Sequence, residues 1–191
     1  NYAIQYVGNT LTIVQALLTI TANSVTKTYD GLAFTGGSGV TYAGFAPGDT
    51  SAVVVGAPTY GGSSQNAVNA GSYVLSVSGM SATNYTIAFA PGALTVDPAA
   101  LTISANPANK TYDGLAFTGG SGVSYSGFVN NETASVLAGV LGYGGTAQNA
   151  INAGSYVLTA GGLTSSNYTI QYVPDAPVSY THLRAHETVL D

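Results

Sequence analysis

Hydrophobic and polar residues alternate with a period of two along most of this chain. Leu18 and Ile20 alternate with Thr19 and Thr21, and Tyr73, Leu75 and Val77 alternate with Ser72, Val74, Ser76 and Ser78. Tyr85, Ile87 and Phe89 alternate with Thr86 and Ala88, and Leu94 and Val96 flank Thr95. A period of two puts one side of an extended segment inward and the other outward, so these runs predict strands. Asp30-Gly31, Gly36-Gly37, Pro47-Gly48-Asp49, Gly61-Gly62 and Pro91-Gly92 separate them. Gly and Asp tolerate the backbone angles of tight turns, and Pro presets one of them. The one helical hint is short, such as Glu132 to Leu137, enough for a turn or two.

The pattern recurs. The string KTYDGLAFTGGSGV begins at Lys27 and again at Lys110, 83 residues later. The same offset carries Gly44-Phe45 onto Gly127-Phe128 and Tyr60-Gly61-Gly62 onto Tyr143-Gly144-Gly145. It also carries Asn69–Tyr73 onto Asn152–Tyr156, without a gap, and Asn-Tyr stands at 1, 84 and 167. Residues 1–13 therefore read as the end of a preceding repeat. A complete repeat spans 17–96, and a second, at 100–173, lacks its last strand. A unit of about eighty residues is a small domain rather than a solenoid coil, whose period is roughly 20–30 residues. The predicted fold is all-β: tandem small β-sandwiches of immunoglobulin-like type, with a β-grasp-like arrangement as the alternative. Ala70-Gly71-Ser72-Tyr73 is similar to the lead into a tyrosine corner, where a phenol bonds back to nearby backbone. Val14-Gln15-Ala16 and Asp97-Pro98-Ala99 read as short connectors, which favour a stiff rod over freely jointed beads. The chain starts at Asn1, and its one methionine is Met80, so it reads as a piece of a longer protein.

Composition narrows the chemistry. Of 191 residues, 46% are hydrophobic and 6% charged, against roughly 25% charged in an average soluble domain. Three Lys and Arg residues cannot neutralise a nucleic-acid backbone, so no nucleic-acid partner is expected. No apolar run approaches the ~20 residues of a membrane helix, so no membrane insertion by this segment is expected. Cysteine is absent, which removes disulfides, thiol catalysis and cysteine-based metal sites.

Residues 178–188 read VSYTHLRAHET and resemble a translated sequencing adapter of the transposase-end type. Residues 178–191 are therefore read as an adapter-derived tail and not as a domain. His182, His186 and Arg184 all fall in it. Without them no Ser-His-Asp triad can be assembled, and Gly36-Gly37-Ser38-Gly39 lacks the Lys-Ser/Thr of a phosphate loop. The expectation is no enzyme, no catalytic residues, no cofactor and no metal. Asp30, Asp49 and Asp97 are too scattered to supply the six or more oxygens of a calcium site.

Three sharper readings remain. Tyr60 and Tyr143, each before Gly-Gly, are candidates for exposed rings that stack on sugars. Lys27 and Lys110, at equivalent places in the two repeats, are candidates for a Lys–Asn isopeptide bond, with Asn84 or Asn69 as partner and Asp49 as the assisting acid. Asn84, Asn109, Asn131 and Asn167 each match the glycosylation sequon.

KTYDG, Gly44-Phe45 with Asp49-Thr50, Gly127-Phe128 with Glu132-Thr133, YGG, NAGSY and Asn-Tyr-Thr-Ile together resemble YDG-type and MBG-type repeats of bacterial surface adhesins. Such repeats occur in filamentous-haemagglutinin-like proteins exported by two-partner secretion. The resemblance covers residues 1–177 and brings no catalytic residues with it. It implies an extracellular or bacterial cell-surface location and a stalk or spacer role, with neighbouring repeats of the same chain as partners. The alternative is a module that binds host glycans or matrix proteins directly, and an enzyme comes a distant third.

Overall fold

The computed structural model describes residues 1–174 and the backbone of 178–179. The tail residues that carry His182, Arg184 and His186 lie outside the described residues. Seven strands come from the first repeat: β1 (Ala16–Ala22), β2 (Val25–Thr28), β3 (Val40–Ala43), β4 (Thr59–Gly61), β5 (Gly71–Ser78), β6 (Tyr85–Ala90) and β7 (Gly92–Asp97). Six come from the second: β8 (Ala99–Ala105), β9 (Val123–Ser126), β10 (Ala138–Gly144), β11 (Ser155–Tyr156), β12 (Thr159–Thr164) and β13 (Tyr168–Val173); β14 (Val178–Ser179) falls in the residues read as the tail. The helical hint becomes two three-residue 3-10 turns, Ser51–Val53 and Ala134–Val136. No α-helix occurs among the described residues, so nothing fills the place that a β-grasp gives its helix.

The first repeat is a sandwich of two sheets, ordered β3-β1-β6 and β2-β7-β5-β4. β1 pairs antiparallel with β3 and parallel with β6. Its inward set, Leu18, Ile20 and Ala22, meets Leu75 and Val77 of β5, with Met80, Ala82 and Tyr85 closing the same cluster. Leu18, Ile20, Leu75 and Leu94 are fully buried, and each such side chain stabilises the fold by about 1.5–3 kcal/mol.

The 83-residue offset extends to strand register. Ala16 faces Tyr85 in the first repeat and Ala99 faces Tyr168 in the second. Thr19 faces Ala43, and Thr102 faces Ser126. The second repeat is more broken. Its sheets are β13-β8-β9, β10-β12 and β11-β14, and β14 has two residues where β7 has six. Residues 108–111 form no strand, unlike their counterpart β2. Around Leu158, Ala105, Ala108 and Ala147 form a buried cluster with Phe117, Tyr143 and Tyr156 against it.

One expectation changes. Ala16 and Ala99 belong to strands, so Pro98 alone separates β7 from β8. Residues 1–13 match 84–96 in sequence but form no strand, and Tyr2, Tyr6 and Leu11 are exposed. Their counterpart β6 is held by β1 of its own repeat, and no described segment plays that part for residues 1–13.

Chain contacts divide the protein into two compact units whose borders differ from those of the repeats. Unit 1 holds Asn1–Lys27, Ala33–Ala67 and Ser72–Thr95. Unit 2 holds everything from Val96 onward together with Thr28–Leu32 and Val68–Gly71, two segments that the repeat assigns to the first copy.

Candidate docking site

Each repeat anchors its Asn-Tyr tyrosine in the same way. In unit 1 the buried Tyr85 hydroxyl donates to Asp49 Oδ2 at 2.5 Å and accepts the Ala46 N–H at 2.8 Å. Its ring meets Phe45 edge-on at 5.9 Å. In unit 2 the Tyr168 hydroxyl donates to Glu132 and accepts the Val129 N–H at 3.0 Å, with Phe128 edge-on at 5.5 Å. The acidic residue thus ties the loop after the Gly-Phe step to the start of the last long strand.

Unit 2 adds a second phenol. Tyr29 is 4% exposed and donates to the other Glu132 oxygen at 2.6 Å. Its ring crosses that of Tyr168 edge-on, with centroids 5.5 Å apart, a geometry worth about 0.5–1.5 kcal/mol beyond burial. Glu132 therefore receives a donor on each oxygen. Burial, then the bond to Glu132 and its charge, push the Tyr29 phenol up to about 12. Burial followed by the Glu132 bond raises Tyr168 as well. At Tyr85 the bond to Asp49 is the largest cause of an upward shift.

Around this pair the Thr28–Leu32 and Val68–Gly71 segments are pinned by backbone and amide contacts. The Tyr29 N–H donates to the Asp97 carbonyl at 2.7 Å, and Asn130 Nδ2 donates to the Gly31 carbonyl at 3.2 Å. Gly31 sits at φ +72°, and an added Cβ would stand 2.7 Å from Asn130 Cβ, so both backbone angle and space call for glycine. Asn167 Oδ1 accepts the Ala70 N–H at 2.9 Å, while its Nδ2 donates to Asn69 Oδ1 at 3.0 Å. The Tyr-Asp-Gly turn and the Asn-Ala-Gly turn together form a plug. Glu132, Tyr168, Asn167 and Asn130 form its socket.

The residues singled out from the sequence lie elsewhere. Tyr60 is half-buried; its hydroxyl accepts the Gly39 N–H at 2.9 Å, and its ring lies over Gly37, where a Cβ would come within 2.4 Å. Tyr143 is also half-buried and lies over Gly120 at the same distance. Each ring thus braces its own Gly-rich turn. Lys110 Nζ bonds the Asp113 carboxylate at 2.8 Å and donates to the Leu115 carbonyl. That ion pair is the main reason Asp113 is shifted below the usual carboxylate range. Lys27 is half-buried in β2. Asp49, the assisting acid of the isopeptide reading, is engaged with Tyr85, and Asn69 with Asn167. No group of three His, Cys, Asp or Glu residues placed to hold a metal occurs among the described residues. The tyrosine-corner analogy has a counterpart in the second repeat, where the Tyr156 hydroxyl donates to the Asn152 carbonyl four residues back at 3.1 Å.

The acidic-Thr step, the Tyr-Asp-Gly turn and the Asn-Tyr pair stand in the sequence as separate signatures. Their common 83-residue recurrence links them, but nothing local says that Tyr29 reaches Glu132, 103 residues away.

The family model for the MBG domain (YGX type) matches residues 18–95 and again residues 101–176. No curated protein and no solved structure matches the chain.

Proposed function

The chain belongs to the MBG domain (YGX type) family in two tandem copies, and from this we propose that it is a stalk or spacer segment of a large bacterial surface adhesin. In this reading the protein is extracellular, works without cofactor or catalysis, and has neighbouring repeats as its partners. Length is the product: each added copy extends the reach of a distal binding region. The observation that carries the reading is that a compact unit is completed by loops of the preceding copy. Tyr29, Gly31, Asn69 and Ala70 satisfy groups on Glu132, Asn130 and Asn167. A module built this way belongs in a series. The contacts of Asp49, Glu132 and the Lys110–Asp113 pair also suit a mechanical role, because they tie turns and phenols together.

Chains of two, four and six tandem copies test this by small-angle scattering and by a glycan and matrix-protein screen. The expected result is a maximum dimension that grows in proportion to copy number, with no binding at micromolar concentration. Specific binding that strengthens with copy number through avidity would overturn the reading in favour of a direct glycan- or matrix-binding module.

A further inference from the structure

The two copies differ in a concerted way along one sheet edge. β4 is the outer strand of the order β2-β7-β5-β4 and has three residues. Its counterpart β10 has seven and pairs with β12 alone among the described residues. The first repeat has a copy after it and the second has a copy before it, and in neither does a strand of the other copy join this edge. The 83-residue offset sets Ala57, Pro58 and Thr59 against Val140, Leu141 and Gly142, and Ser78 against Gly161. Proline has no N–H to offer a further strand, so Pro58 blunts the edge of the first repeat. Leu141 removes that block. Both copies carry the same one-residue bulge here, between Val55 and Thr59 and between Gly139 and Gly142, so the bulge does not distinguish them.

The same differences make a knob and a hole. Val140 is 84% exposed. Gly142 faces Gly161 across the β10–β12 ladder. In the first repeat Thr59 faces Ser78, and the Ser78 hydroxyl donates to the Thr59 carbonyl. A Cβ on Gly142 or Gly161 would meet nothing within 4 Å, and neither residue has a left-handed backbone. Local structure therefore does not call for glycine at either place. The bare backbone leaves an open cleft of about 300 Å³ lined by Gly142, Gly144, Thr159 and Gly161. No charged residue stands from Thr133 to Pro174, so the edge lacks the lysines that commonly keep strands apart.

We propose that β10 is a docking edge for β10 of a second copy of this chain, the two strands pairing antiparallel about a twofold axis at Leu141. Backbone N–H and C=O groups of the two edges supply the ladder. Pairing about Leu141 sets Val140 of each strand opposite Gly142 of the other, and opposite residues of an antiparallel pair share a face. Each exposed valine then enters the cleft at the other copy's Gly142–Gly161 pair. The contact is isologous: knob meets hole and hole meets knob, so it closes at two copies. A charged segment would repel itself in such a pairing, and this one carries no charge. Nothing in the pairing requires the chain to be a surface stalk.

Sedimentation equilibrium of the full chain, from micromolar to millimolar concentration, tests this. The expected result is a reversible monomer–dimer equilibrium. Leu141→Pro puts back the residue of the first repeat and should abolish the dimer. The first repeat carries Pro58 at this place in the same bulge, so the fold should persist by circular dichroism. Val140→Lys removes the knob at an exposed position and sets like charges near the axis; it should also abolish the dimer, without altering the backbone. Gly161→Ser fills the hole as Ser78 does and should weaken dimerisation several-fold. A chain that stays monomeric throughout, assembly that grows beyond two copies, or a dimer that both Leu141→Pro and Val140→Lys leave intact would overturn the proposal. Failure of spacer behaviour in the copy-number series would leave this result untouched, so the two readings fail separately.

Discussion

Replacing Tyr29 and replacing Tyr112 are the same substitution in the same local sequence, and the structure predicts opposite outcomes. Tyr29→Phe removes a hydroxyl bound to the Glu132 carboxylate at 2.6 Å. Hydrogen bonds to charged groups contribute about 1.5–3 kcal/mol. Tyr168 still donates to the other oxygen of Glu132, so the lower end, about 1.5 kcal/mol, applies. Tyr29→Ala also empties the space of a ring that is 4% exposed, and aromatic-to-alanine changes at buried sites cost about 3–5 kcal/mol. Tyr112 is 55% exposed, so Tyr112→Phe and Tyr112→Ala should stay within about 0.5 kcal/mol of the parent. Urea unfolding followed by circular dichroism and tyrosine fluorescence measures all four variants. With a slope of about 2 kcal/mol per molar urea, Tyr29→Ala should lower the midpoint of the unit 2 transition by roughly 2 M. Equal effects of Tyr29→Ala and Tyr112→Ala would refute the reasoning, because the two residues would then owe their contributions to local sequence and not to the socket.

Three further outcomes follow from the same contacts. Gly37→Ala and Gly120→Ala each push a methyl to 2.4 Å from a tyrosine ring; both should cost about 1–3 kcal/mol by overpacking, and a thermal melt unchanged by either would count against the ring-over-glycine arrangement. Leu75→Ala should cost about 2–5 kcal/mol because Leu75 is fully buried, while Val74→Thr on the outward face of the same strand, 52% exposed, should change stability by less than about 0.5 kcal/mol. The Tyr29 phenol should ionise late: absorbance at alkaline pH should show a component near 12 that vanishes in Tyr29→Phe, against 10.0 for an ordinary tyrosine. Its sign is set by linkage. The folded state holds this proton more tightly than the unfolded state, so its contribution is full below pH 10.0 and is lost as pH rises toward about 12. A chemical-denaturation series across that interval should show stability falling less steeply in Tyr29→Phe.

Much of the fold is legible in the residues themselves. The alternation of Leu18 and Ile20 with threonines becomes β1, and that of Tyr73, Leu75 and Val77 becomes β5, with Leu75 and Val77 buried. Strand formation follows from side chains two apart sharing a face, a local property that one sequence displays. The Gly-Gly and Asp-Gly steps mark turns for an equally local reason, the backbone angles that glycine permits. The 83-residue recurrence even carries strand register, because equal sequences bury equal faces. Tyr60 and Tyr143 show the boundary of such reasoning. A tyrosine before Gly-Gly reads as exposed, yet each ring lies over a glycine more than twenty residues earlier, Gly37 or Gly120.

The docking site lies wholly beyond local reading. Tyr29 and Tyr112 stand in identical strings from Lys27 to Val40 and from Lys110 to Val123. One is buried against Glu132 and Tyr168 and the other faces solvent. No propensity, periodicity or turn rule can separate two identical segments. What separates them is the carboxylate and ring that the folded chain brings from 103 and 139 residues further on. The residues alone determined that this protein is a tandem β repeat with a tyrosine in each Tyr-Asp-Gly turn. The tertiary structure decided which of those tyrosines is a core residue, because burial depends on what stands opposite, and that is set by contacts distant in sequence.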